Sequence, residues 1–498
     1  MDYNSVQRQG DSLRLSDIIR DFEYELVKGD LDIEILKIEH DSRRVSEGDM
    51  FIAIKGFSVD GHNYIEEAID KGARCIVVEK DVDKALAENV TVLKVKDTLL
   101  SMAKFSSAFY EEPSKKMNLI GVTGTNGKTT TTYLIKRIFE EDGNKTGVMG
   151  TLGAVINGER IENRNTTPES LLIQRHLRRM LDKGINYCVM EVSSHALDLK
   201  RVEYTNFQVG VFTNLTEDHL DYHKTMKNYY RSKLKLFNMT EKYNVINADD
   251  EYGRRMLKDI ENKVPVLTYG INEKYHVYAT DVNYHTNGVD FILNTPKGSI
   301  PIHMKLLGMF NVYNALAAAS CAIAYDISLP VIKKGIESVT GIRGRFEVIH
   351  VESRDFDVII DYAHTPDGLE KVLKAIDGFA QGRKIVIFGA GGNRDREKRP
   401  IMGEIAANYA DICIVTSDNP RYEDPDKIIE DILVGVKRGK AEYVAITDRK
   451  DAIKYAIGIA KPKDTILLAG KGHEKYIIIK DKMIPFDEKQ IVMDLING

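Results

Sequence analysis

A glycine-rich segment between an apolar run and a helix-forming stretch constrains the fold of this chain most strongly. The segment reads GVTGTNGKTT from Gly121 to Thr130 and continues the apolar run NLIGV. At such a junction, glycines let backbone N–H groups close around phosphate oxygens, a lysine neutralises the phosphates, and a threonine hydroxyl ligates Mg²⁺. The segment therefore predicts a phosphate-binding loop for ATP. The expected ATP ligands in it are Gly124, Thr125, Asn126, Gly127, Lys128, Thr129 and Thr130.

One position of this segment departs from the strict phosphate-loop pattern. Val122 stands five residues before Gly127, where that pattern has a glycine. The alternative is a glycine-rich strand-to-helix turn that binds nothing. Because the Gly-Lys-Thr run falls at the junction itself, we favour a variant of the ATP-binding loop.

The length of the chain and its alternation of strands and helices predict three α/β domains. At 498 residues the chain exceeds the usual size of a single domain. We expect a central doubly wound, mainly parallel sheet and a Rossmann-like C-terminal domain, because apolar strand-like runs alternate with helical stretches. A polar, proline-containing link after Tyr110 and the turn GIRGR mark the boundaries. The expected domains are residues 1–112, 113–341 and 342–498.

Charge, cysteine spacing and hydropathy argue against several functional classes. Seventy basic residues stand against 75 acidic ones, so no global positive field favours nucleic acid or an anionic membrane. The four widely spaced cysteines lack a metal-ligand pattern and are expected to be buried in a reducing compartment. No segment, including the N-terminus, is apolar over the roughly 18 residues that a membrane span needs. We therefore expect a cytoplasmic protein with neither a membrane span nor a nucleic-acid partner.

Two polar groups follow strand-like runs and offer metal ligands. Glu191 ends the run YCVMEV, where it suits a magnesium site or is simply part of a solvated turn. His219 and His223 lie at helical spacing in TNLTEDHLDYH, but no third soft ligand for zinc is nearby. From the residues alone, this second segment is either part of a metal site or a polar loop.

Six ordered motifs resemble those of the Mur ligase family. The motifs are GVTGTNGKTTT, EVSSHAL, TNLTEDHLDYH, LGMFNVYNALAA, DYAHTP and AGKGHE, and the resemblance extends from His40 to the C-terminus. Within the family, the chain resembles the members that add diaminopimelate to a UDP-linked peptidoglycan precursor. The resemblance implies an ATP- and Mg²⁺-dependent ligase.

The same resemblance implies positions that bind the UDP-linked substrate. Ser42 of HDSRRV matches a position in the uridine-nucleotide site. The positions that hold the muramoyl peptide are matched by Asn165, Thr166, Thr167, Ser193 and Arg201. Leu199 stands where the family often has glutamine, so one polar contact is expected to be missing or supplied elsewhere.

The metal site is also implied by the resemblance. Glu191 and His219 match Mg²⁺ ligands, which act together with Thr129. Lys233 matches a lysine that the family carries as a carbamate derived from CO₂, an anionic oxygen ligand for a second Mg²⁺. Without the resemblance, its segment YRSKLKLF would be a basic helix face. The implied catalytic residues are Lys128, Glu191, His219 and Lys233.

Three further positions are implied for ATP. Asn311 and Asn314 of FNVYN match positions near the adenine. Arg345 of GIRGRF matches one that reaches the ATP phosphates from the junction of two domains.

The third domain holds a segment suited to a diamino diacid. The run TSDNPR ends at Arg421, whose planar fork suits the far carboxylate of diaminopimelate, a group that lysine lacks. DNPR resembles the family signature for meso-diaminopimelate. Arg394 matches a second carboxylate contact, although its alternative is one charge on the solvated turn NRDREKRP. The implied amino-acid contacts are Arg394, Asp418, Asn419, Pro420, Arg421, Gly470 and Glu474.

These implied sites predict one reaction in peptidoglycan synthesis. ATP phosphorylates the D-glutamate side-chain carboxylate of UDP-N-acetylmuramoyl-L-alanyl-D-glutamate, and the amine of meso-diaminopimelate attacks the acyl phosphate. The alternatives are a lysine-adding Mur ligase, a folylpolyglutamate synthetase-like ligase, and a phosphate-loop nucleotide switch or kinase. We expect a monomer that closes over three small-molecule substrates.

Overall fold

The computed structural model describes residues 12–56, 59–82, 89–261, 264–285, 288–351 and 353–497. Residues 1–11, for which no apolar targeting segment is expected, lie outside the described part. The strands are β1 (Leu13–Arg14), β2 (Glu25–Lys28), β3 (Glu34–Ile35), β4 (Ile38–Glu39), β5 (Met50–Ile52), β6 (Cys75–Val78), β7 (Thr91–Lys94), β8 (Asn118–Thr123), β9 (Thr146–Gly150), β10 (Gly153–Ile156), β11 (Glu159–Ile161), β12 (Tyr187–Glu191), β13 (Phe207–Phe212), β14 (Thr240–Asn247), β15 (Val266–Gly270), β16 (Val277–His285), β17 (Gly288–Thr295), β18 (Gly298–Met304), β19 (Glu347–Val351), β20 (Phe356–Asp361), β21 (Lys384–Phe388), β22 (Ile412–Val415), β23 (Glu442–Ala445), β24 (Thr465–Ala469), β25 (Tyr476–Ile479) and β26 (Lys482–Pro485).

Helices follow most of these strands. The α-helices are α1 (Leu15–Ile18), α2 (Ile65–Asp70), α3 (Thr98–Phe109), α4 (Lys128–Glu141), α5 (Ser170–Asp182), α6 (Ser194–Asp198), α7 (Leu220–His223), α8 (Met226–Asn238), α9 (Glu251–Asp259), α10 (Met309–Ala324), α11 (Leu329–Glu337), α12 (Pro366–Asp377), α13 (Lys398–Tyr409), α14 (Pro425–Val436), α15 (Arg449–Ile459) and α16 (Glu488–Asn497). Short 3₁₀ helices span Ser42–Arg44, Gly61–Tyr64 and Pro113–Lys116.

The chain divides into two compact units. The first contains Met1–Thr123, Asn144–Gly210 and Ser232–Tyr243, and the second contains Gly124–Gly143, Val211–Arg231 and Asn244–Gly498. Strands β13 and β14 begin in the first unit and end in the second, whereas helix α8 begins in the second and ends in the first.

The first unit contains one five-stranded sheet, the two-stranded sheet β1-β3, and five neighbouring strands of a larger sheet. The five-stranded sheet has the order β2-β7-β6-β5-β4, in which β4 to β7 are parallel and the edge strand β2 is antiparallel. The five strands of the larger sheet have the order β11-β10-β9-β12-β8, with β12 parallel to both β8 and β9. Because parallel strands are covered on both faces, their sequences are continuously apolar, as in the run CIVV of β6.

In the second unit, strands β14, β15 and β16 are parallel, and β17 and β18 extend them as antiparallel hairpins. A separate six-stranded sheet has the order β19-β20-β24-β21-β22-β23 and is parallel except at β19.

The six-stranded sheet is covered by helices on both faces. Val386 and Phe388 of β21 pack into a cluster that includes apolar residues of α12, α13 and α14. Ile385 and Ile387, their neighbours along the strand, pack into another cluster that includes residues of α15 and α16. This alternation follows from the two-residue period of strand side chains and confirms the Rossmann-like α/β class predicted for the C-terminal domain.

All four cysteines are buried and none forms a disulfide, as their wide spacing predicted. Burial raises the pKa of the Cys413 thiol to about 12, so it is a small apolar residue at neutral pH. Among the described helices, none has the length and apolar character needed to cross a membrane.

Candidate functional site

The phosphate loop of the second unit is built around two glycines that no other residue can replace without distortion. Gly124 has φ +150°, and a Cβ there would lie 1.8 Å from Thr213 Oγ1. Gly127 has φ +86°, and its Cβ would lie 2.3 Å from Asn314 Oδ1. Positive φ and close neighbours both favour glycine. The loop is therefore a tight turn at the start of helix α4, as its sequence predicts.

Lys128 folds back over this loop. Its Nζ donates to the carbonyl oxygens of Gly124 and Thr125, both at 2.8 Å. Helix α4 begins at Lys128, and none of the described side chains caps its amino end. Amide N–H groups at the start of a 14-residue helix favour an anion, and a lysine above them adds charge. These features fit a bound triphosphate.

Two loop residues are fastened to other segments of the second unit. Thr125 Oγ1 lies 3.1 Å from the hydroxyl of Tyr229. Asn126 Nδ2 donates to Asp367 Oδ2 at 2.8 Å, and Thr216 Oγ1 donates to the same oxygen at 3.2 Å. Asp367, in the first turn of α12, was not predicted as a site residue. Its position directly after the motif DYAHTP is the signal that could have identified it.

Arg345 reaches the start of the same helix. Its Nη2 donates to Thr129 Oγ1 at 3.1 Å, and its guanidinium carbon lies 4.6 Å from the centre of the Tyr362 ring. The Arg345 Nε is buried without a hydrogen-bond partner among the described residues. A cation with an unused donor beside a phosphate loop fits the predicted contact with ATP. Thr130, in the first turn of α4, is buried.

The two asparagines of FNVYN lie on helix α10 near the loop. Asn314 accepts from Thr131 Oγ1 at 3.3 Å and donates to Asn311 Oδ1 at 3.0 Å. Asn311 in turn donates to the Leu307 carbonyl at 2.8 Å. Asn314 therefore supports the back of the loop at Gly127. Asn311 also lines a cavity of about 1210 Å³ beside the turn Thr340–Arg343, and no other predicted ATP residue lines that cavity.

Glu191 ends strand β12 in the first unit and is nearly fully buried. Its Oε1 accepts from the Thr151 backbone N–H and its Oε2 from the Thr151 hydroxyl, both at 2.9 Å. A Cβ at Gly150 would lie 2.2 Å from Oε1. The carboxylate is therefore fixed in orientation at the end of its strand, which suits a metal ligand and argues against a solvated turn.

The residues predicted to hold the muramoyl peptide are connected to Glu191. The Thr167 hydroxyl donates to the Glu191 carbonyl at 2.8 Å and accepts from the Ser193 N–H at 2.9 Å. Arg201 donates to the Thr167 carbonyl at 3.0 Å and pairs with Glu169 at 2.7 Å.

Three other predicted substrate residues differ in their surroundings. Thr166 Oγ1 lies 3.1 Å from Thr151 Oγ1, whereas Asn165 is exposed. Ser42 is buried, and its hydroxyl donates to Glu67 Oε2 at 2.9 Å. Leu199 follows helix α6 as its C-cap.

The two remaining predicted metal ligands belong to different units. His219 has φ +56°, precedes the single turn α7, and its Nε2 lies 3.3 Å from Asp218 Oδ2. Lys233, on α8, is only 1% exposed, which is rare for a lysine. Within the described residues, no three His, Cys, Asp or Glu side chains are grouped to hold a metal.

The predicted amino-acid residues cluster at the carboxyl ends of β22 and β24. Asn419 Nδ2 donates to Glu474 Oε2 at 3.0 Å. Lys471 is fully buried, and its Nζ donates to Asn419 Oδ1 at 3.1 Å and to Glu474 Oε2 at 2.9 Å. A Cβ at Gly470 would lie 2.7 Å from Asp418 Oδ2. Lys471 was not predicted, although it lies inside the motif GKGHE.

Arg421 stands in the left-handed region, with φ +54°. Its Nη1 donates to the Gly392 carbonyl at 3.0 Å, and a Cβ at Gly392 would lie 1.9 Å from the Pro420 carbonyl oxygen. Burial and the nearby Arg394 lower the pKa of Arg421, because both disfavour its charged form. Arg394 is half-exposed and pairs with Asp221 at 3.4 Å. Two arginines side by side fit a carboxylate ligand.

Comparison with known proteins identifies the family. The family models that match are "Mur ligase family, catalytic domain" over residues 34–110, "Mur ligase middle domain" over 122–322, and "Mur ligase, glutamate ligase domain" over 344–472.

Relatives match over nearly the whole chain. UDP-N-acetylmuramoyl-L-alanyl-D-glutamate--2,6-diaminopimelate ligase 1 of Clostridium acetobutylicum is 48% identical, covering 97% of this chain and 99% of its own. The corresponding ligase of Clostridioides difficile is 46% identical, covering 97% and 100%. A solved structure of a UDP-N-acetylmuramoyl-L-alanyl-D-glutamate--2,6-diaminopimelate ligase has a TM-score of 0.68 and 30% identity, covering 98% and 99%.

The phosphate loop, the fixed carboxylate of Glu191 and the cluster around Arg421 thus occur in a chain that matches relatives over 97% of its length. The predicted family and the predicted ligase class are both confirmed. The chain belongs to the Mur ligase family.

Proposed function

We propose that this enzyme joins meso-diaminopimelate to the D-glutamate side-chain carboxylate of UDP-N-acetylmuramoyl-L-alanyl-D-glutamate, a step of peptidoglycan synthesis. The observation that carries the proposal is the cluster that brings Arg421 together with Asp418 and Glu474. Arg421 Nη1 contacts the carbonyl oxygen of Asn419, the residue after Asp418, at 3.4 Å, and Asn419 Nδ2 donates to Glu474 Oε2 at 3.0 Å. A guanidinium fork beside two carboxylates complements a carboxylate and an ammonium on one carbon. Diaminopimelate has this pair at its far end, whereas lysine has only the ammonium.

We propose three domains with separate substrates, at residues 1–112, 113–341 and 342–498. The family matches support these boundaries, because each matched segment lies within a single proposed domain. The first domain would bind the uridine nucleotide at Ser42, the second ATP, and the third the incoming amino acid. The muramoyl peptide would contact Asn165, Thr166, Thr167, Ser193 and Arg201.

The first chemical step needs the γ-phosphoryl group of ATP beside an inert carboxylate. In the proposed mechanism the loop amides and Lys128 hold the phosphates, and Arg345 contacts them through its unused Nε. The carboxylate oxygen attacks the γ-phosphorus, the bond to the β-γ bridging oxygen breaks, and ADP leaves. Neutralising the charge on the transferred group is the main contribution of these cations.

The proposed magnesium ligands are Thr129, Glu191, His219 and Lys233, the last as a carbamate. Bound Mg²⁺ would neutralise phosphate charge during transfer. The burial of Lys233 supports the carbamate. A buried ammonium keeps its full charge, whereas the charge of a buried carbamate is neutralised by the metal that it binds.

The second step joins the amino acid. Asp418 and Glu474 would accept hydrogen bonds from the ammonium at the far end of diaminopimelate, while Arg394 and Arg421 pair with its carboxylate. The free amine at the other end attacks the acyl carbon, so that a C–N bond forms, the C–O bond to the phosphate breaks, and the nitrogen loses a proton to solvent as phosphate leaves. Anchoring one end of a long amino acid thus orients the reacting end.

ATP and UDP-linked precursors are cytoplasmic metabolites, so we propose that the enzyme acts in the cytoplasm. We also propose that it acts as a monomer, because one chain carries all the proposed substrate contacts.

An ADP-release assay tests the proposal against the nucleotide-switch alternative. Adding the UDP-dipeptide and diaminopimelate together to enzyme, ATP and Mg²⁺ should raise the rate of ADP release at least about tenfold. An equal rate without either substrate would show that the chain hydrolyses ATP without ligation.

A further inference from the structure

An ion pair lies beneath the proposed amino-acid site. Arg449 is the first residue of α15 and Glu488 is the first residue of α16. Both side chains are fully buried, and Arg449 Nε donates to Glu488 Oε1 at 2.7 Å. Burying two charges costs so much desolvation that such a pair adds little net stability compared with apolar residues of similar size. Its role is therefore explained better by the hydrogen bonds that the other nitrogens of Arg449 donate.

Those donors reach the ends of two strands. Arg449 Nη2 donates to the Ala469 carbonyl at 2.8 Å, and Nη1 contacts the Ser417 carbonyl at 3.5 Å. Ala469 ends β24 and directly precedes Gly470, and Ser417 directly precedes Asp418. The guanidinium of Arg449 thus contacts the backbone just before the loop that begins at Asp418 and just before the loop that begins at Gly470.

The two strands that lead into these loops, β22 and β24, are not neighbours in the sheet. In the six-stranded sheet, β21 separates β24 from β22. The spacing between the loops must nevertheless be narrow, because a Cβ at Gly470 would lie 2.7 Å from Asp418 Oδ2. Arg449 donates to the backbone on both sides of this gap, and Glu488 accepts from its Nε.

The charge of Arg449 also acts on the site. Burial opposes ionisation of Asp418, but Lys471, and after it Arg449, hold the pKa of this carboxyl below its usual value. The Arg421 cation also favours the charged form of Asp418. Asp418 is therefore kept as an anion that can accept from an ammonium.

We infer that Arg449, held by Glu488, is a positioning residue that sets the spacing of the Asp418 and Gly470 loops and so determines affinity for the far end of the amino-acid substrate. This inference rests on the proposed function. Neither residue contacts the substrate, and the effect is transmitted through two backbone carbonyls.

The test replaces both charges together, so that no lone charge stays buried. Replacing a buried pair with apolar residues of similar volume is often neutral for stability. In the double variant Arg449→Met/Glu488→Met we expect a KM for diaminopimelate at least about tenfold higher, with the KM values for ATP and UDP-dipeptide within about twofold of the parent. Arg449→Lys, which keeps the charge but loses the fork, should raise the same KM less.

A matched control comes from an ion pair at the opposite end of β24. Arg383 pairs with Asp464, which precedes that strand, at 2.6 Å. Arg383→Met should lower the Tm without selectively raising the KM for diaminopimelate. If both the double variant and Arg449→Lys bind diaminopimelate normally, or if all three KM values rise together, the inference is wrong.

Arg421→Ala separates this inference from the proposed function. A raised KM in Arg421→Ala with a normal KM in the Arg449 variants would overturn only the positioning role. A normal KM in Arg421→Ala would overturn the proposed site, and with it the positioning role.

Discussion

Asp367 on helix α12 accepts a hydrogen bond from the Asn126 side chain of the phosphate loop, with 2.8 Å between Oδ2 and Nδ2. The two residues are 241 positions apart in the chain. This contact ties the loop that is proposed to hold ATP to the segment that follows DYAHTP. The conformation of the phosphate loop therefore depends on the Asp367 carboxylate, which lies outside the loop's own motif GVTGTNGKTT.

Replacing Asp367 should weaken ATP binding. A hydrogen bond to a charged group contributes roughly 1.5–3 kcal/mol, so we expect Asp367→Ala to raise the KM for ATP at least about tenfold. Steady-state kinetics with ATP varied would measure this. Lys371→Met is the control, because Lys371 pairs with the same carboxylate but is partly exposed; it should leave the KM for ATP nearly unchanged. Equal effects of the two variants would contradict the loop-anchoring role.

Removing the loop lysine should stop the reaction. Lys128 provides a cation above the loop, and we expect Lys128→Ala to lower kcat by at least about a hundredfold because charge on the transferred phosphoryl group is no longer neutralised. Lys136→Ala is a matched control on the same helix, where that lysine pairs with Glu140. Near-normal ADP release by Lys128→Ala would show that the phosphate-loop assignment is wrong.

Removing the fork of Arg421 should reduce selectivity for diaminopimelate. Truncating one partner of a buried charge pair costs about 2–5 kcal/mol, and we expect Arg421→Ala to lose that much in kcat/KM for diaminopimelate. Competition between diaminopimelate and lysine measures the change. Arg438→Ala, at an exposed pair with Glu404, is the control. If Arg421→Ala still prefers diaminopimelate over lysine to the same extent, another group binds the far carboxylate.

Lys233 should be sensitive to CO₂. If it acts as a carbamate, Lys233→Ala should lose at least about a hundredfold in kcat, and enzyme stripped of CO₂ should regain activity when bicarbonate is added. Lys235→Ala is the control on the same helix, because that side chain is about half exposed and lies near Asp198. Full activity of Lys233→Ala would rule out the proposed ligand role.

Buried His176 should make the first unit sensitive to acid. Burial, and after it Arg175 and Arg179, lower the pKa of His176 from 6.5 to about 3. Its Nε2 has no hydrogen-bond partner among the described residues. Between these two pH values the unfolded chain binds a proton that the folded chain does not, so the free energy of unfolding falls as the pH drops. The loss is at most about 1.4 kcal/mol per pH unit.

The variant His176→Leu removes this proton uptake. We expect its acid-unfolding midpoint, followed by circular dichroism, to lie at lower pH than that of the parent. His276→Leu, at an exposed histidine, should leave the midpoint in place. If His176→Leu unfolds at the parent pH, other groups control acid stability.

Sequence patterns predict the parts of the fold whose conformation is determined by residues close together in the chain. The runs IVIF and ICIV are apolar at every position because helices cover both faces of their sheet, and each lies in a strand. The glycines of the phosphate loop predict a tight turn, because positive φ angles favour glycine. The hairpins β16 to β18 were not predicted, because their exposed residues, such as Tyr284, give a weak alternation.

The unpredicted site residues depend on partners that are distant in sequence. Lys471 bonds to Asn419 across 52 positions, and Arg449 bonds to Glu488 across 39. A single charged residue in a polar stretch has no feature that distinguishes it from a solvated one. Only the folded chain brings these charges together and buries them, so the sequence alone could not assign them.

The central claim is that this chain forms a peptide bond to diaminopimelate at the expense of ATP. Mass spectrometry of the product tests it most directly, with purified enzyme, ATP, Mg²⁺ and UDP-dipeptide, and with diaminopimelate or lysine supplied separately. We predict a UDP-linked tripeptide containing diaminopimelate, with little or no product from lysine. A product formed from lysine alone, or no product with either amino acid, would contradict the account.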